Sequence, residues 1–434
     1  MSVSHTSYSA SNNALLSELS LSLDHQQLTQ MLVQNRNILL IQDLDGVCMG
    51  LVKDPLTRIM ETRYIHAVKS LSNHFFVLTN GEHIGQRGVN GIVERTLGGK
   101  DLAQEQGLYL PGLAGGGVQW QDCYANVSHP GVSDAELEFL ASLPLKIADY
   151  LQKLGQMPQY GLESNQLAKY IQATVLDNKV SPTANLNVFH ETFSDQQYAE
   201  FQQQVKEFVT GLLEESRQQG IADSFFIHYA PNLGRDEQGT EIMQPARNQD
   251  SGTTDFQFML RGAIKEVGVL VILNHHYWLQ TGVYPLGAEF NARKAPHKHQ
   301  DLINLVKDNF DTDIMPTIVG VGDTVTSKAI EKNGQIEFKR GGSDRGFLEL
   351  VQALGKEFQT DNVIVYVDSS GGEVKNRQAI ELDHSEPQNI RVIKGPGDSR
   401  DTEDPLTLNF VFPEGHQQYV DFFCQMAQSR STQD

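Results

Sequence analysis

Four short apolar runs punctuate the chain, and each is closed at once by acidic, amide, hydroxyl or glycine residues. They are Asn37 to Gln42 (NILLIQ, then DLDG), His74 to Thr79 (HFFVLT, then NGE), Pro316 to Val321 (PTIVGV, then GDT) and Asn362 to Val367 (NVIVYV, then DSS). Runs of this length without alternation suit strands buried on both faces of a parallel sheet. Helical periodicity separates them, for example over 301–310 and 346–358. The pattern predicts a doubly wound α/β core. In such sheets ligands bind beyond the carboxyl ends of the strands, where this chain places its Asp, Thr and Asn residues.

The middle of the chain has a different texture. Residues 134–155 and 195–219 read as polar-faced helices, and Ser224 to Tyr229 (SFFIHY) reads as a strand. This stretch predicts a second, α+β module inserted into the first. The expected division is a mobile N-terminal segment over 1–35, with a short helix near 25–34 at its end. Core follows over 36–125, the inserted cap over 126–254 and core again over 255–434.

Composition narrows the function. No apolar run approaches the roughly 20 residues of a membrane-spanning helix. The opening MSVSHTSYSASNNALLSELS lacks a basic stretch followed by an apolar one, so no secretory signal is expected. Three scattered cysteines, Cys48, Cys123 and Cys424, form neither a disulfide framework nor a zinc pattern, and a reducing cytoplasm is the expected location. The formal charge of −20 argues against a nucleic-acid partner. It also means that any anionic substrate needs local positive charge from a metal ion, a lysine or aligned amides.

The chemistry-bearing positions lie at the strand ends. Asp43-Leu44-Asp45-Gly46 offers two carboxylates two residues apart: one can attack phosphorus and the other can move protons. A calcium loop is excluded, because Cys48 stands where that loop needs glycine and a strand precedes it. Thr79-Asn80-Gly81 can hold phosphate oxygens. Lys265, near the start of an apolar helical stretch, can neutralise them. Asp323, in Gly322-Asp323-Thr324, can complete a magnesium shell. Each motif alone also fits an ordinary turn; their order along the chain is the specific signal. Gly115-Gly116-Gly117 lacks the lysine of a phosphate-binding P-loop and reads as a tight turn.

Taken in this order, the four motifs resemble the haloacid dehalogenase (HAD) phosphohydrolase superfamily, in its sugar-phosphatase branch with the cap between the second and third motifs. Relatives of that type include sucrose- and trehalose-phosphate phosphatases. The segments IQDLDGVCMGLVKDPL, VLTNGEHIGQRGVNGIVE, HYAPNLGRDE, DSGTTDFQFMLRG and YVDSSGGEVKNR resemble, more narrowly, the glucosylglycerol-phosphate phosphatases. That resemblance implies hydrolysis of 2-O-(glucosyl)glycerol 3-phosphate to a compatible solute made under salt stress. It implies a phosphorylated glycoside as substrate and the upstream glycosyl-phosphate synthase as a partner. The alternatives are another sugar phosphate or a catalytically silent protein on this fold.

Carried over by position, the resemblance makes Asp43 the nucleophile and Asp45 the general acid/base, with the Asp45 carbonyl on Mg2+. Asp45 must begin protonated, so its pKa is expected above that of Asp43. Thr79 and Lys265 hold the phosphoryl group and Asp323 binds Mg2+. The usual second acid of the fourth motif is Ser327 here. The expectation is an inserted hairpin over 328–340 that returns Asp344 to the metal site, with Asp368 competing for that role. Asn80, Gly81, Glu82, His83 and Arg87 after the second motif, and His228, Asn232 and Arg235 of the cap, are the expected substrate contacts.

Overall fold

The computed structural model describes residues 15–432 except 222, 249, 333 and 387–389. The strand Ile38–Gln42 lies at the centre of an eight-stranded sheet. On one side it pairs in parallel with Thr317–Gly322, followed by Val363–Val367 and Phe410–Phe412. On the other side lie Phe75–Leu78 and Gly112–Ala114, also parallel, and then antiparallel Gln119–Gln121 and Val127–Ser128. The four strands read from the apolar runs are therefore neighbours in one parallel block, with one strand beyond them on one side and three on the other.

Alternation along Ile38–Gln42 sends its side chains into two separate cores, as a period of two requires. Ile38 and Leu40 join a cluster with Leu28, Tyr64, Phe410 and Phe423; Leu39 and Ile41 join one with Leu270, Phe347 and Leu348. Gln42 is wholly buried yet satisfied: its amide donates to Tyr64 Oη at 2.6 Å and its carbonyl accepts from Tyr419 at 2.7 Å. That lock sits immediately before Asp43 and fixes where the strand delivers it.

The inserted module has its own antiparallel sheet, in the order Val175–Leu176, Thr183–Asn185, Asp255–Leu260, Phe225–Ala230. Two long helices, Asp134–Gly155 and Asp195–Gln218, accompany it, and each starts with a reciprocal capping box, Ser133 with Glu136 and Ser194 with Gln197. Asp255–Leu260 pairs along its whole length with Phe225–Ala230, so this sheet extends to 260 and the core resumes at the helix Lys265–Thr281. The expected return to the core at 255 came too early by one strand.

The N-terminal expectation also changes. Residues 1–14 lie outside the described residues, but residues 15–35 are built into the core. The main-chain N–H groups of Leu16 and Ser17 donate to Asp361, and Asn409 donates to the carbonyls of Ser17 and Leu19. The helix His25–Gln34, capped by Asp24, buries Leu28 and Leu32. Truncating Leu28 to alanine should therefore cost about 2–5 kcal/mol in denaturant unfolding, the range for a core leucine. A cost below about 0.5 kcal/mol would mean that this helix is not part of the core.

The candidate active site

Four carboxylates, one lysine and two arginines converge where the central strands end. Lys265, the first residue of its helix, is almost fully buried and bridges two acids: its Nζ lies 3.0 Å from Asp43 Oδ2 and 2.6 Å from Asp344 Oδ1. The other oxygen of Asp344 accepts the main-chain N–H groups of Asp323 and Thr324, each at 2.9 Å. The Thr324 hydroxyl donates to Asp323 Oδ1 at 2.6 Å and receives a hydrogen bond from Arg377 at 2.9 Å. Arg377 Nε lies 3.6 Å from Asp323 Oδ2. Asp45 is paired with Arg58 Nε at 2.8 Å.

Two glycines make this crowding possible. Gly46 has φ of +79°, and a Cβ there would lie 2.2 Å from Asp323 Oδ2. A Cβ on Gly322 would lie 2.7 Å from Asp344 Oδ2. Any larger residue at either position would displace a carboxylate of the cluster.

Burial dominates the electrostatics. It pushes the Asp43 carboxyl up to about 8; Lys265 opposes the rise, while Asp344, Asp323 and Asp45 add to it. Asp323 is likewise raised by burial, to about 6, against the pull of Arg377. Burial works against the charge on Lys265 as well, but Asp344 and Asp43 outweigh it and hold the ammonium above its usual range. Burial disfavours ionised Asp344 too, yet Lys265 and the two main-chain N–H donors keep it below the ordinary carboxylate range. Asp43 is the nucleophile candidate that burial among other acids singles out for a raised pKa.

The donor set fits a hard divalent cation. Ligand atoms of Asp43, Asp323 and Asp344 lie within 4.8 Å of one another, and Asp323 Oδ2 is buried without a hydrogen-bond partner. Oxygen donors with few carboxylates are what Mg2+ takes. Asp344 is fully buried with both oxygens engaged, so its geometry suits orienting Lys265 and the Asp323 loop rather than open coordination. It returns to the cluster by the anticipated insertion, a hairpin of Thr326–Lys332 and Gln335–Gly341. Asp368, the expected competitor, is not in the group of three acids that come together here; its oxygens accept from the N–H groups of Ser370 and Ile380 and cap the following loop.

The cluster opens on a chamber of about 110 Å³ lined by Asp43, Asp45, Thr79, Asn80, Gly81, Arg87, Lys265 and Asp323. Thr79 Oγ1 accepts the Gly81 N–H at 3.1 Å, which leaves its own proton to donate. The main-chain N–H groups of Gly115 and Gly116 bind the carbonyls of Gly81 and Thr79, so the triple glycine is the expected tight turn and braces this segment. Arg87 is half committed, to Asp177 at 3.2 Å and to the Gln172 carbonyl, while its Nε has no partner.

Several expected substrate contacts stand elsewhere. Glu82 reaches the chamber wall, but both of its oxygens are engaged: they accept from the N–H groups of Val180 and Ser181, the Ser181 hydroxyl and Gln119. It ties the core to the inserted module. His83 is wholly buried, bonded to Gln119 and the Gly112 carbonyl, and burial lowers its pKa to about 4. It does not face the chamber. His228, Asn232 and Arg235 line a different cavity, of about 240 Å³, which shares only Asn80, Lys265 and Ser343 with the first. There Asn80 meets His228 Nε2 at 2.9 Å, His228 Nδ1 meets Glu241, and Asn232 receives the N–H of Gly342 at 3.2 Å.

Sequence reading missed Arg58 and Arg377, which supply much of the positive charge around the acids. Arg377 lies in YVDSSGGEVKNR, a segment singled out for its resemblance but not for any residue's role. Asp255, on an inner strand of the module's sheet, lies in the segment DSGTTDFQFMLRG and is not among the expected site residues. It lines the chamber, receives Asn185 Nδ2 at 2.6 Å and is raised by burial to about 6 against the pull of Arg58.

The fold and site together define a doubly wound α/β protein with an inserted cap and an acidic, lysine-bridged centre at the strand ends. The sequence model of the glucosylglycerol-phosphate phosphatases matches residues 37–427, and the chain belongs to that family. The glucosylglycerol-phosphate phosphatase of Synechocystis sp. is 54% identical over 411 residues, covering 94% of this chain and 97% of that one. Among solved structures, the trehalose-6-phosphate phosphatase C-terminal domain of C. albicans aligns over 94% of this chain and 98% of its own, at 12% identity and a TM-score of 0.46. An Aspergillus fumigatus trehalose-6-phosphate phosphatase covers 94% and 99%, at 11% identity and a TM-score of 0.42.

The raised Asp43 carboxyl has a signed consequence for stability. In metal-chelated protein, folded Asp43 keeps its proton to about pH 8, whereas the unfolded chain loses it near pH 4. Between these values the unfolded state binds fewer protons, so stability falls as pH rises. Asp43→Asn cannot ionise. Its melting temperature should pull ahead of wild type between about pH 4 and 8 and run parallel above that window. Parallel curves throughout would show that Asp43 is already charged at neutral pH.

Proposed function

We propose that this chain hydrolyses the phosphate monoester of glucosylglycerol through a covalent aspartyl-phosphate on Asp43. The observation that carries the reading is the Lys265 bridge between Asp43 and Asp344 beside Asp323, in a chain 54% identical along 94% of its length to a phosphatase of that name. We place the enzyme in the cytoplasm, in osmolyte synthesis under salt stress, downstream of the synthase that makes the phosphorylated glycoside. Its described cysteines are all free, and no described helix is long and apolar enough to cross a membrane.

Each residue then has a task. Phosphoryl oxygens take hydrogen bonds from the Thr79 hydroxyl and the Lys265 ammonium. Asp43 and Asp323, with the Asp45 carbonyl, would hold Mg2+, and Asp344 would orient them. Bound there, the cation supplies the charge that lets an anionic nucleophile approach an anionic ester. Ionised Asp43 attacks phosphorus as the ester P–O bond breaks, and Asp45 gives its proton to the departing alkoxide. The free glycoside leaves. Asp45, now a carboxylate, takes a proton from water, and the water oxygen attacks phosphorus. The bond from phosphorus to Asp43 breaks, which restores the carboxylate and releases phosphate. Arg58 holds Asp45 in an ion pair here, so this pair must part when Asp45 acts as an acid.

A phosphate-release assay over glucosylglycerol phosphate, sucrose phosphate and trehalose phosphate tests the reading. Glucosylglycerol phosphate should be turned over fastest with Mg2+ and not at all in EDTA, and Asp43→Asn should lose on the order of 10³-fold or more in kcat. Equal turnover of all three, or release that survives Asp43→Asn, would reject it.

A further inference from the structure

The two acids that meet beside Lys265 come from distant points of the chain. Asp323 and Asp344 are 21 residues apart, with the hairpin of Thr326–Lys332 and Gln335–Gly341 between them. The hairpin leaves at Thr326 and returns at Gly341, which face each other across its base. Where these two legs are held sets where Asp344 stands against the Asp323 loop. The tolerance is small. The Asp344 N–H donates to the Thr324 carbonyl at 3.1 Å, and a Cβ on Gly342 would lie 2.4 Å from that same carbonyl oxygen. An excursion of this length costs entropy to close, so contacts outside it must fix its ends.

A loop over 398–404 grips both legs. Asp401 receives Arg340 at 2.8 and 2.6 Å and also the Ser327 hydroxyl; Ser327 and Arg340 are the next facing pair of the hairpin. The N–H of Asp398 donates to the Ser327 carbonyl at 3.1 Å. Asp404 takes Arg345 in a two-point pair at 2.8 and 2.7 Å. Arg345 follows Asp344 directly and is buried. Its Nε donates to the Gly341 carbonyl and its Nη2 to the Thr326 carbonyl, each at 3.3 Å, while Nη1 also reaches Glu349 at 3.0 Å. Every N–H of the guanidinium thus has an acceptor, and each leg of the hairpin supplies one. A rigid planar fork held at five points fixes the spacing of the legs.

We infer that Asp401 and Asp404, with Arg345, are positioning residues for the active-site acids: they clamp the base of the inserted hairpin and so hold Asp344 against Lys265 and the Asp323 loop. The inference rests on the reading given under Proposed function, in which Asp323 holds the cation and Asp344 orients its neighbours. Ser327, the position of the usual second acid, then has a different task, because its hydroxyl is one of the clamp's attachment points. A buried guanidinium is tolerable only while its charge is matched. Removing an acid of the clamp therefore releases Arg345, the residue next to Asp344. Asp401, Asp404 and Arg345 do not line the chamber, so their effect reaches the reaction only through Asp344 and the Asp323 loop.

Two substitutions in this loop test the clamp. Asp404→Asn removes one of its charges and keeps the side chain's shape. Glu403→Gln removes a charge from the exposed neighbour. Calorimetry on the metal-free proteins gives the Mg2+ dissociation constant and the number of sites without turnover, and kcat and KM are measured on glucosylglycerol phosphate. Asp404→Asn should weaken Mg2+ binding about tenfold at an unchanged number of sites, and lower kcat about tenfold with KM within about threefold of wild type. Glu403→Gln should match wild type throughout. A role confined to stability would lower the number of sites and the melting temperature while the remaining sites keep their affinity, and that result would overturn the inference. So would wild-type Mg2+ affinity and kcat in a folded Asp404→Asn. Should Asp404→Asn not fold, Ser327→Ala detaches Asp401 from one leg and carries the same test: a loss of about threefold in Mg2+ affinity and kcat supports the clamp, and unchanged values reject it. If Mg2+ affinity falls as expected while the wild-type protein releases no phosphate from glucosylglycerol phosphate, the proposed reaction is rejected and the clamp stands.

Discussion

One buried ammonium organises the site. Lys265 lies between Asp43 and Asp344 with almost no contact with water, in a chain whose formal charge is −20. A charge that deep is tolerable only when paired and hydrogen-bonded. Two partners satisfy Lys265, but the cluster holds more carboxylates than one lysine can neutralise. Asp43 and Asp323 are raised by burial even with Lys265 and Arg377 beside them. The site is therefore short of positive charge without a cation, and an anionic substrate makes that shortage worse.

The fold creates this tension by construction. Parallel strands buried on both faces deliver Asp43 and Asp323 to one edge, on neighbouring strands in register. Asp344 reaches the same point only after a hairpin that packs against the cap strand Asn232–Arg235. A continuous polar path, Asn80 to His228 to Glu241 to Asn232 to Gly342, runs from the second strand end through the cap to the residues before Asp344. Cap and core are thereby joined beside Lys265, and the ion pairs Lys53–Glu191 and Lys328–Asp250 join them again elsewhere.

Much of this was legible in sequence, for a physical reason. A strand buried on both faces must be continuously apolar, and the polar residue that ends it is forced to the sheet edge. The strand ends and the order of Asp43, Thr79, Lys265 and Asp323 could therefore be read directly. The displaced second acid was legible too, because Ser327 left a gap that Asp344 filled. Adjacency in sequence misled at Glu82 and His83. After a tight turn, neighbours of Asn80 point inward, and their polarity serves the join to residues 180–181 and the buried Gln119. His228, Asn232 and Arg235 stand around a neighbouring cavity that meets the chamber at Asn80, Lys265 and Ser343. Arg58 and Arg377 come from loops without periodicity, and only the fold shows which acids they meet.

The central claim is that Asp43 keeps its proton until a divalent cation supplies the missing charge. Titrating the metal-free protein with Mg2+ at pH 7, by calorimetry in buffers of different ionisation enthalpy, measures the protons released on binding. The account predicts about one proton released per Mg2+ bound, and none from Asp43→Asn. Tight Mg2+ binding with no proton release from the wild-type protein would contradict it.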